Sequence, residues 1–179
     1  MNWQPSLTND LVILRPLQPG DIDHLFDVAS DPLIWEQHPS KERSQRKGFE
    51  LFFDEALASK GAFVIIDKIS GKIIGSTRFS PVMGNKNAIE IGWTFLARKY
   101  WGGVYNKAIK KLMMDYAFTL VDHVLFFIHE NNFRSQKAVE KIGAERIMQL
   151  DNVDLLPRPN ASVIYRIHKN QNISRTEKK

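Results

Sequence analysis

The chain has 179 residues, a length that suits one domain with a substantial core. Its formal net charge is +5, with 43% hydrophobic and 25% charged residues, which is typical of a globular protein. The absence of cysteine excludes disulfides, cysteine-based zinc sites and a cysteine nucleophile. No secretory signal and no apolar run of membrane-spanning length is visible, so we expect a cytoplasmic protein that does not bind membranes.

The N-terminal third is predicted to hold one strand and two helices. Residues 11–17 form a short strand that ends among prolines. A helix follows over residues 20–30, with Asp21 as its expected N-cap. After an ordered loop at 31–41, apolar residues at helical spacing predict a second helix over 42–59.

The middle of the chain changes to strand periodicity. Strands are predicted at 62–67 and 72–80, joined by a hairpin turn, and a third antiparallel strand at 88–96. An amphipathic helix is then predicted over 105–120, and the apolar strand at 123–130 is expected to be buried on both faces. The remaining predicted elements are a helix at 132–142 ended by Gly143, closing strands at 145–150 and 162–168, and a polar tail at 169–179.

This order predicts an α/β (α+β) fold. We expect a mixed, mostly antiparallel sheet of six to seven strands with helices on both faces. The two strands that flank the helix at 105–120 should be parallel, because a helical crossover joins them. We expect a single domain over residues 1–168, followed by the tail at 169–179.

Two adjacent glycines, Gly102 and Gly103, lie between a predicted strand and the helix after it. Backbone N–H groups at the start of that helix have no partner within it and can donate to a phosphate group. A plain tight turn is the alternative. The loop is neither a Walker loop nor a dinucleotide fingerprint, since GK[ST] and GxGxxG are both absent. The positive net charge indicates either a solvated basic surface or an anionic partner; no basic block interleaved with aromatics points to nucleic acid.

Several motifs in the right order carry a resemblance to a known family. The stretch EIGWTFLARKYWGGVYNKAIKKLMMDYAF at 90–118 is followed by NFRS at 132–135 and EKIGA at 140–144, and RPL stands at 15–17. This combination resembles the GNAT acyl-CoA N-acyltransferase superfamily, and most closely its ribosomal-protein N-terminal acetyltransferase-like branch. The resemblance covers roughly residues 11–168.

The resemblance implies an N-acetyltransferase with a single GNAT-like domain. It implies direct transfer of the acetyl group of acetyl-CoA to a primary amine, either a protein N-terminus or a small-molecule amine. We expect no metal and no nucleic acid, and a monomer or homodimer. A non-catalytic CoA-binding or regulatory module is the alternative function.

The resemblance also implies which residues bind acetyl-CoA. The loop amides would bind the pyrophosphate, the preceding strand would pair with the pantetheine arm, and the start of the later helix would lie beside the cofactor. The implied cofactor-binding residues are Thr94, Phe95, Leu96, Lys99, Gly102, Gly103, Val104, Tyr105, Asn106, Asn132 and Ser135. The family usually has a smaller residue at the position of Val104.

The catalytic groups are a separate question, because acetyl transfer needs a neutral amine and a proton for the leaving thiolate. Glu90 stands where some family members carry a catalytic Glu, and His38 in the loop at 31–41 is a second candidate base; each has a purely structural alternative. Glu130 is a third option. Many relatives have a Tyr proton donor where this chain has Val139, so a water or Ser135 is the remaining candidate acid.

Three tryptophans, Trp35, Trp93 and Trp101, are candidates to line an acceptor pocket. Large aromatic side chains are also the usual material of a core. We expect packing to account for at least one of them.

Overall fold

The computed structural model describes residues 2–148 and 162–170. Within these residues the strands are β1 (Leu7–Thr8), β2 (Val12–Pro16), β3 (Ala62–Asp67), β4 (Ile73–Val82), β5 (Asn85–Leu96), β6 (His123–His129), β7 (Glu145–Ile147) and β8 (Ser162–His168). The α-helices are α1 (Ile22–Ala29), α2 (Arg46–Ala58), α3 (Tyr105–Ala117) and α4 (Phe133–Glu140). Short 3-10 helices occur at Pro19–Asp21, Pro32–Trp35, Lys41–Ser44 and Arg98–Tyr100.

All described strands form one sheet in the order β1-β2-β3-β4-β5-β6-β8-β7. Every neighbouring pair is antiparallel except β5 and β6, which are parallel and joined through α3. The predicted mixed, mostly antiparallel sheet and its one parallel pair are therefore confirmed. The sheet has eight strands rather than six to seven, partly because the two-residue β1 is too short to show a sequence period.

Helices cover both faces of the sheet, as predicted. One face packs against α3 and α4 through a cluster that includes Ile109, Met113 and Val139. The other face packs against α1 and α2 through a cluster rich in aromatic side chains. None of the helices in the described ranges is both long and apolar enough to cross a bilayer.

Several predicted boundaries were wrong by a few residues. The helix predicted from residue 42 begins at Arg46, because Lys41–Ser44 forms a separate 3-10 turn. The strand predicted from residue 88 begins at Asn85. Asp21 does not cap α1 with its side chain; its carboxylate accepts hydrogen bonds from Arg15 and the Gln18 amide instead. The predicted strand end at 149–150 and the tail from residue 171 lie outside the described residues.

A β-bulge interrupts β5 in the middle of the sheet. Gly92 pairs with Arg78 and Phe95 with Ser76, so Trp93 and Thr94 both stand opposite a single residue of β4. Trp93 has a φ of 51°, in the left-handed region that non-glycine residues seldom adopt. The extra residue bends the strand and increases its local twist.

We expect the aromatic cluster under β5 to be a main source of stability. Phe49 is fully buried and contacts the rings of Phe26, Phe52 and Phe95 at centroid distances of 5.5, 5.8 and 6.4 Å. Phe49→Ala should lower the free energy of unfolding by about 3–5 kcal/mol in urea titrations. Leu51→Ala on the same helix, at a side chain 65% exposed, should change it by less than about 0.5 kcal/mol. Equal losses in the two variants would contradict this packing.

Candidate active site

A cleft opens where β5 and β6 separate. The two strands pair only from Ala88 to Glu90 on β5, opposite His123 to Leu125 on β6. Beyond this point their next residues, Ile91–Leu96 and Phe126–His129, line the two sides of a cavity of about 680 Å³. A cavity of this size and shape suits a small-molecule ligand.

The glycine loop closes one end of the cavity. Gly102 and Gly103 line it, together with Asn106 in the first turn of α3. The first helical hydrogen bond here runs from the Ala108 amide to the Val104 carbonyl, so earlier amides have no acceptor within the helix. Gly102 has a φ of 71°, which strongly favours glycine, whereas a Cβ on Gly103 would meet nothing within 4 Å.

Asp67 at the end of β3 holds both sides of this loop. Its carboxylate accepts hydrogen bonds from the hydroxyls of Tyr105, at 2.9 Å, and Tyr100, at 3.4 Å. Hydrogen bonds from Ser70 and Tyr105 lower the pKa of Asp67, so it is ionised at neutral pH. Sequence analysis placed Asp67 at a strand end and missed this role, because the contact joins residues 38 positions apart.

The start of α4 forms the facing wall. The Asn132 side chain accepts a hydrogen bond from the Ser135 amide at 3.1 Å, which is a helix N-cap, and both residues line the cavity. Arg134 extends away from this wall: its guanidinium donates to the carbonyls of Leu33 and Ile34 and lies 4.1 Å from the centre of the Trp101 ring.

The structure brings most of the predicted cofactor residues together. Thr94, Phe95, Leu96, Gly102, Gly103, Asn106, Asn132 and Ser135 all line the cavity. Three others do not: Lys99 lies over the Tyr100 ring, the Tyr105 hydroxyl bonds Asp67, and the Val104 side chain is 61% exposed.

The three predicted catalytic residues differ in position. Ser135 and His38 line the cavity, whereas Glu90 is buried just behind its wall. The Glu90 carboxylate runs beside Gly92, where an added Cβ would lie 2.8 Å from its Oε1 atom. Gly92 does line the cavity, so this part of Glu90 lies beside a lining residue.

His38 is held as a neutral ring. Its Nδ1 atom accepts a hydrogen bond from the Ser40 amide at 2.9 Å, which places the ring proton on Nε2. Burial, with the nearby charges of Arg43 and His129, lowers the pKa of His38 to about 4. In this arrangement the Nε2 atom carries a hydrogen and can donate a hydrogen bond.

All three candidate tryptophans line the cavity. Trp35 is also a core residue, since it is 4% exposed and its indole N–H donates to the Ala29 carbonyl at 2.7 Å. The Trp101 indole N–H donates to the Leu96 carbonyl at 2.9 Å and ties the loop back to β5. The same side chains thus pack in the core and line the cavity.

Lys110 is a cavity residue that sequence analysis missed. It lies on α3 and is 5% exposed, and its Nζ atom donates to the Thr94 hydroxyl at 2.6 Å. Burial lowers the pKa of Lys110 to about 7, and the charge of Glu90 opposes this shift. Two lysines stand side by side on α3, and the sequence does not distinguish the buried Lys110 from Lys111, which is exposed and ion-paired with Asp115.

A family comparison matches the chain to an acetyltransferase (GNAT) domain over residues 12–145. The chain belongs to the GNAT family. The GNAT domain makes it an acetyl-CoA-dependent N-acyltransferase, as the sequence motifs predicted. A comparison with curated proteins finds no match.

Solved structures share the GNAT fold at low sequence identity. A GCN5-related N-acetyltransferase from Brucella melitensis is 21% identical with a TM-score of 0.78, over 94% of this chain and 80% of that one. Mycobacterium smegmatis RimJ in complex with CoA-disulfide is 15% identical with a TM-score of 0.67, over 95% and 90%. Spermidine N-acetyltransferase from Vibrio cholerae in complex with CoA and spermine is 15% identical with a TM-score of 0.66, over 92% and 99%.

The buried ammonium of Lys110 predicts a pH-dependent stability. Between pH 7 and 10.5 the unfolded chain binds more protons at this group than the folded protein, so stability rises with pH. Lys110→Met should therefore be more stable than wild type at pH 6, by up to about 5 kcal/mol, with the difference shrinking at pH 9. Urea unfolding at the two pH values measures this. Lys111→Met serves as the exposed control, and a pH-independent difference for Lys110→Met would contradict the assignment.

Proposed function

We propose that this GNAT enzyme transfers the acetyl group of acetyl-CoA directly to a primary amine while both substrates are bound. The supporting observation is the cavity between β5 and β6, which reaches the glycine loop on one side and the residue 31–45 segment on the other. Two ligands can therefore meet beside the bulge of β5. No acyl-enzyme is required, in keeping with the absence of cysteine.

The glycine-loop end of the cavity fits a pyrophosphate. In this proposal the amides of Gly102, Gly103 and Asn106 donate to its oxygens, assisted by the N-terminus of α3. The ammonium groups of Lys107 and Lys137, which also line the cavity, supply positive charge for the phosphates. The backbone of β5 beyond Glu90 lies along the cavity and suits an extended pantetheine arm.

Glu90 is the proposed general base. An amine must lose a proton to attack the thioester, and a water beside Gly92 would connect it to the buried carboxylate. Ser135 is the proposed proton donor to the departing sulfur. Val139, where relatives have a Tyr, is 5% exposed and packs in the core, so it supplies no proton.

The acceptor is proposed to be a protein N-terminus or a small-molecule amine, and the location cytoplasmic. One structurally similar enzyme is named for a small-molecule amine, the spermidine N-acetyltransferase, whereas RimJ is not named for an acceptor. Fold similarity does not choose between them. Cofactor binding without turnover on any amine would instead favour the non-catalytic alternative.

Gly103→Val tests the cofactor loop. Its Cβ would meet no protein atom, so the fold should be unaffected while a ligand approaching the backbone is obstructed. We expect the Kd for acetyl-CoA in calorimetry to rise about 10-fold or more. Gly20→Val is the control, because that position is equally open and does not line the cavity. An unchanged Kd in Gly103→Val would remove the loop from the binding site.

Glu90→Gln tests the base. The substitution keeps the shape of the side chain but removes its charge, so kcat should fall about 100-fold or more while the Kd for acetyl-CoA changes little. Release of CoA in the presence of a reactive amine measures kcat. Glu130→Gln, at an exposed residue outside the cavity, is the matched control. Full activity in Glu90→Gln would eliminate Glu90 as the base.

A further inference from the structure

Two arginines flank one phenylalanine ring beside the β5 bulge. The guanidinium carbon of Arg43 lies 4.4 Å from the centre of the Phe52 ring, and that of Arg78 lies 5.7 Å from it. Arg78 also lies 4.5 Å from the centre of the Trp93 ring. Aromatic faces attract such cations but do not satisfy their N–H donors.

Arg78 is a buried cation with unused donors. It is 6% exposed, and its Nε and Nη2 atoms make no hydrogen bond to any described residue. None of the ion pairs among the described residues involves Arg43 or Arg78. Burial lowers the pKa of Arg78 to about 10, so it remains charged at neutral pH. The carboxylates of Glu55 and Glu90 lie near enough to favour the charged form of Arg78, but neither accepts a hydrogen bond from its Nε or Nη2 atom. A bound anion would therefore offset more of the cost of burying this charge.

His38 adds a third donor at the same place. Its Nε2 atom lies 3.4 Å from Nη1 of Arg43, and both nitrogens carry hydrogens when Nδ1 accepts from the Ser40 amide. Two donors cannot bond each other. They can converge on one shared acceptor, and a carboxylate offers two oxygens for this purpose.

The rest of the cavity also favours an anion. Among the described residues no Asp or Glu side chain lines it, whereas its cationic lining residues are Arg43, Lys107, Lys110, Arg134, Lys137 and Lys141. Lys107 follows Asn106 in the first turn of α3, beside the glycine loop, and suits the nucleotide. Arg78 stands beside Trp93, three residues before the end of β5, and Arg43 lies over the Trp35 ring. Both tryptophans pack on the sheet face that α1 and α2 cover.

We propose that Arg43, Arg78 and the Nε2–H of His38 form an anion subsite for the acceptor, so that the amine substrate carries a carboxylate. The subsite rests on the proposed acetyl transfer for its role, and it deepens that function by naming the acceptor class. The Arg43 guanidinium and His38 bind the carboxylate, and the charge of Arg78 beneath Phe52 strengthens its binding. Polyamines, which need carboxylates along their path, are poor acceptors for this cavity.

The test measures binding of product-like probes to the enzyme saturated with CoA. N-acetylglycine, N-acetylserine and N-acetylglutamate are titrated by calorimetry, each beside its C-terminal amide, with N-acetyl-phosphoethanolamine and spermine as further probes. At least one N-acetyl amino acid should bind about 10-fold or more tightly than its amide. Arg43→Met should abolish this preference. Arg46→Met, at an exposed arginine over Phe26 outside the cavity, should retain it.

The outcomes separate failure of the anion subsite from failure of the proposed acetyl transfer. Equal binding of acids and amides, or a preference that survives in a folded Arg43→Met, overturns the subsite. The subsite is also overturned if none of the acids binds, or if spermine binds in preference to them. Selective binding of the phosphate probe overturns the carboxylate assignment and identifies phosphate as the anion instead. Failure to bind CoA defeats the proposed acetyl transfer, while the same titrations without CoA still test the subsite. Arg78→Met serves as a second variant, with its melting temperature as the folding control.

Discussion

The separation of β5 and β6 beyond Glu90 is the constraint on which the site depends. A parallel pair that continued would hydrogen-bond its backbone groups to each other and leave no space between the strands. The bulge at Trp93 and Thr94 bends β5 away from β6, and the cavity lies along the unpaired edge of β5. One inserted residue thus supplies both the space for a ligand and a strand edge that a ligand can pair with.

Positively charged side chains line or lie beside this cavity, and burying them costs the fold stability. Lys110 and Arg78 are almost fully buried, and burial lowers the pKa of both groups. Aromatic rings and a threonine hydroxyl compensate them in part. The Glu90 carboxylate lies near both cations and Glu55 lies near Arg78, so part of the buried charge is offset within the fold. Burying such cations still favours anionic ligands over maximum stability, because well-packed apolar residues are often the more stable choice.

Much of this could be predicted from the sequence. Periodicity located the helices and strands, and the run of motifs identified the family, the glycine loop and the Asn132–Ser135 helix start. The residues that were missed have one feature in common. Lys110, Arg78 and Asp67 act through partners on other elements of the fold, and their local patterns resemble those of ordinary exposed residues. Only the folded chain shows which charges it buries and which face the cavity.

The contacts of Arg134 have a thermodynamic consequence. This one side chain joins the Trp101 ring, beside the glycine loop, to the Leu33 and Ile34 carbonyls. The Arg134 backbone amide also donates a hydrogen bond to the Gln37 side chain. The nucleotide side of the cavity and the segment over its opposite side are therefore mechanically connected. If a ligand on one side changes the affinity for a ligand on the other by some factor, linkage requires the second ligand to change the affinity for the first by the same factor.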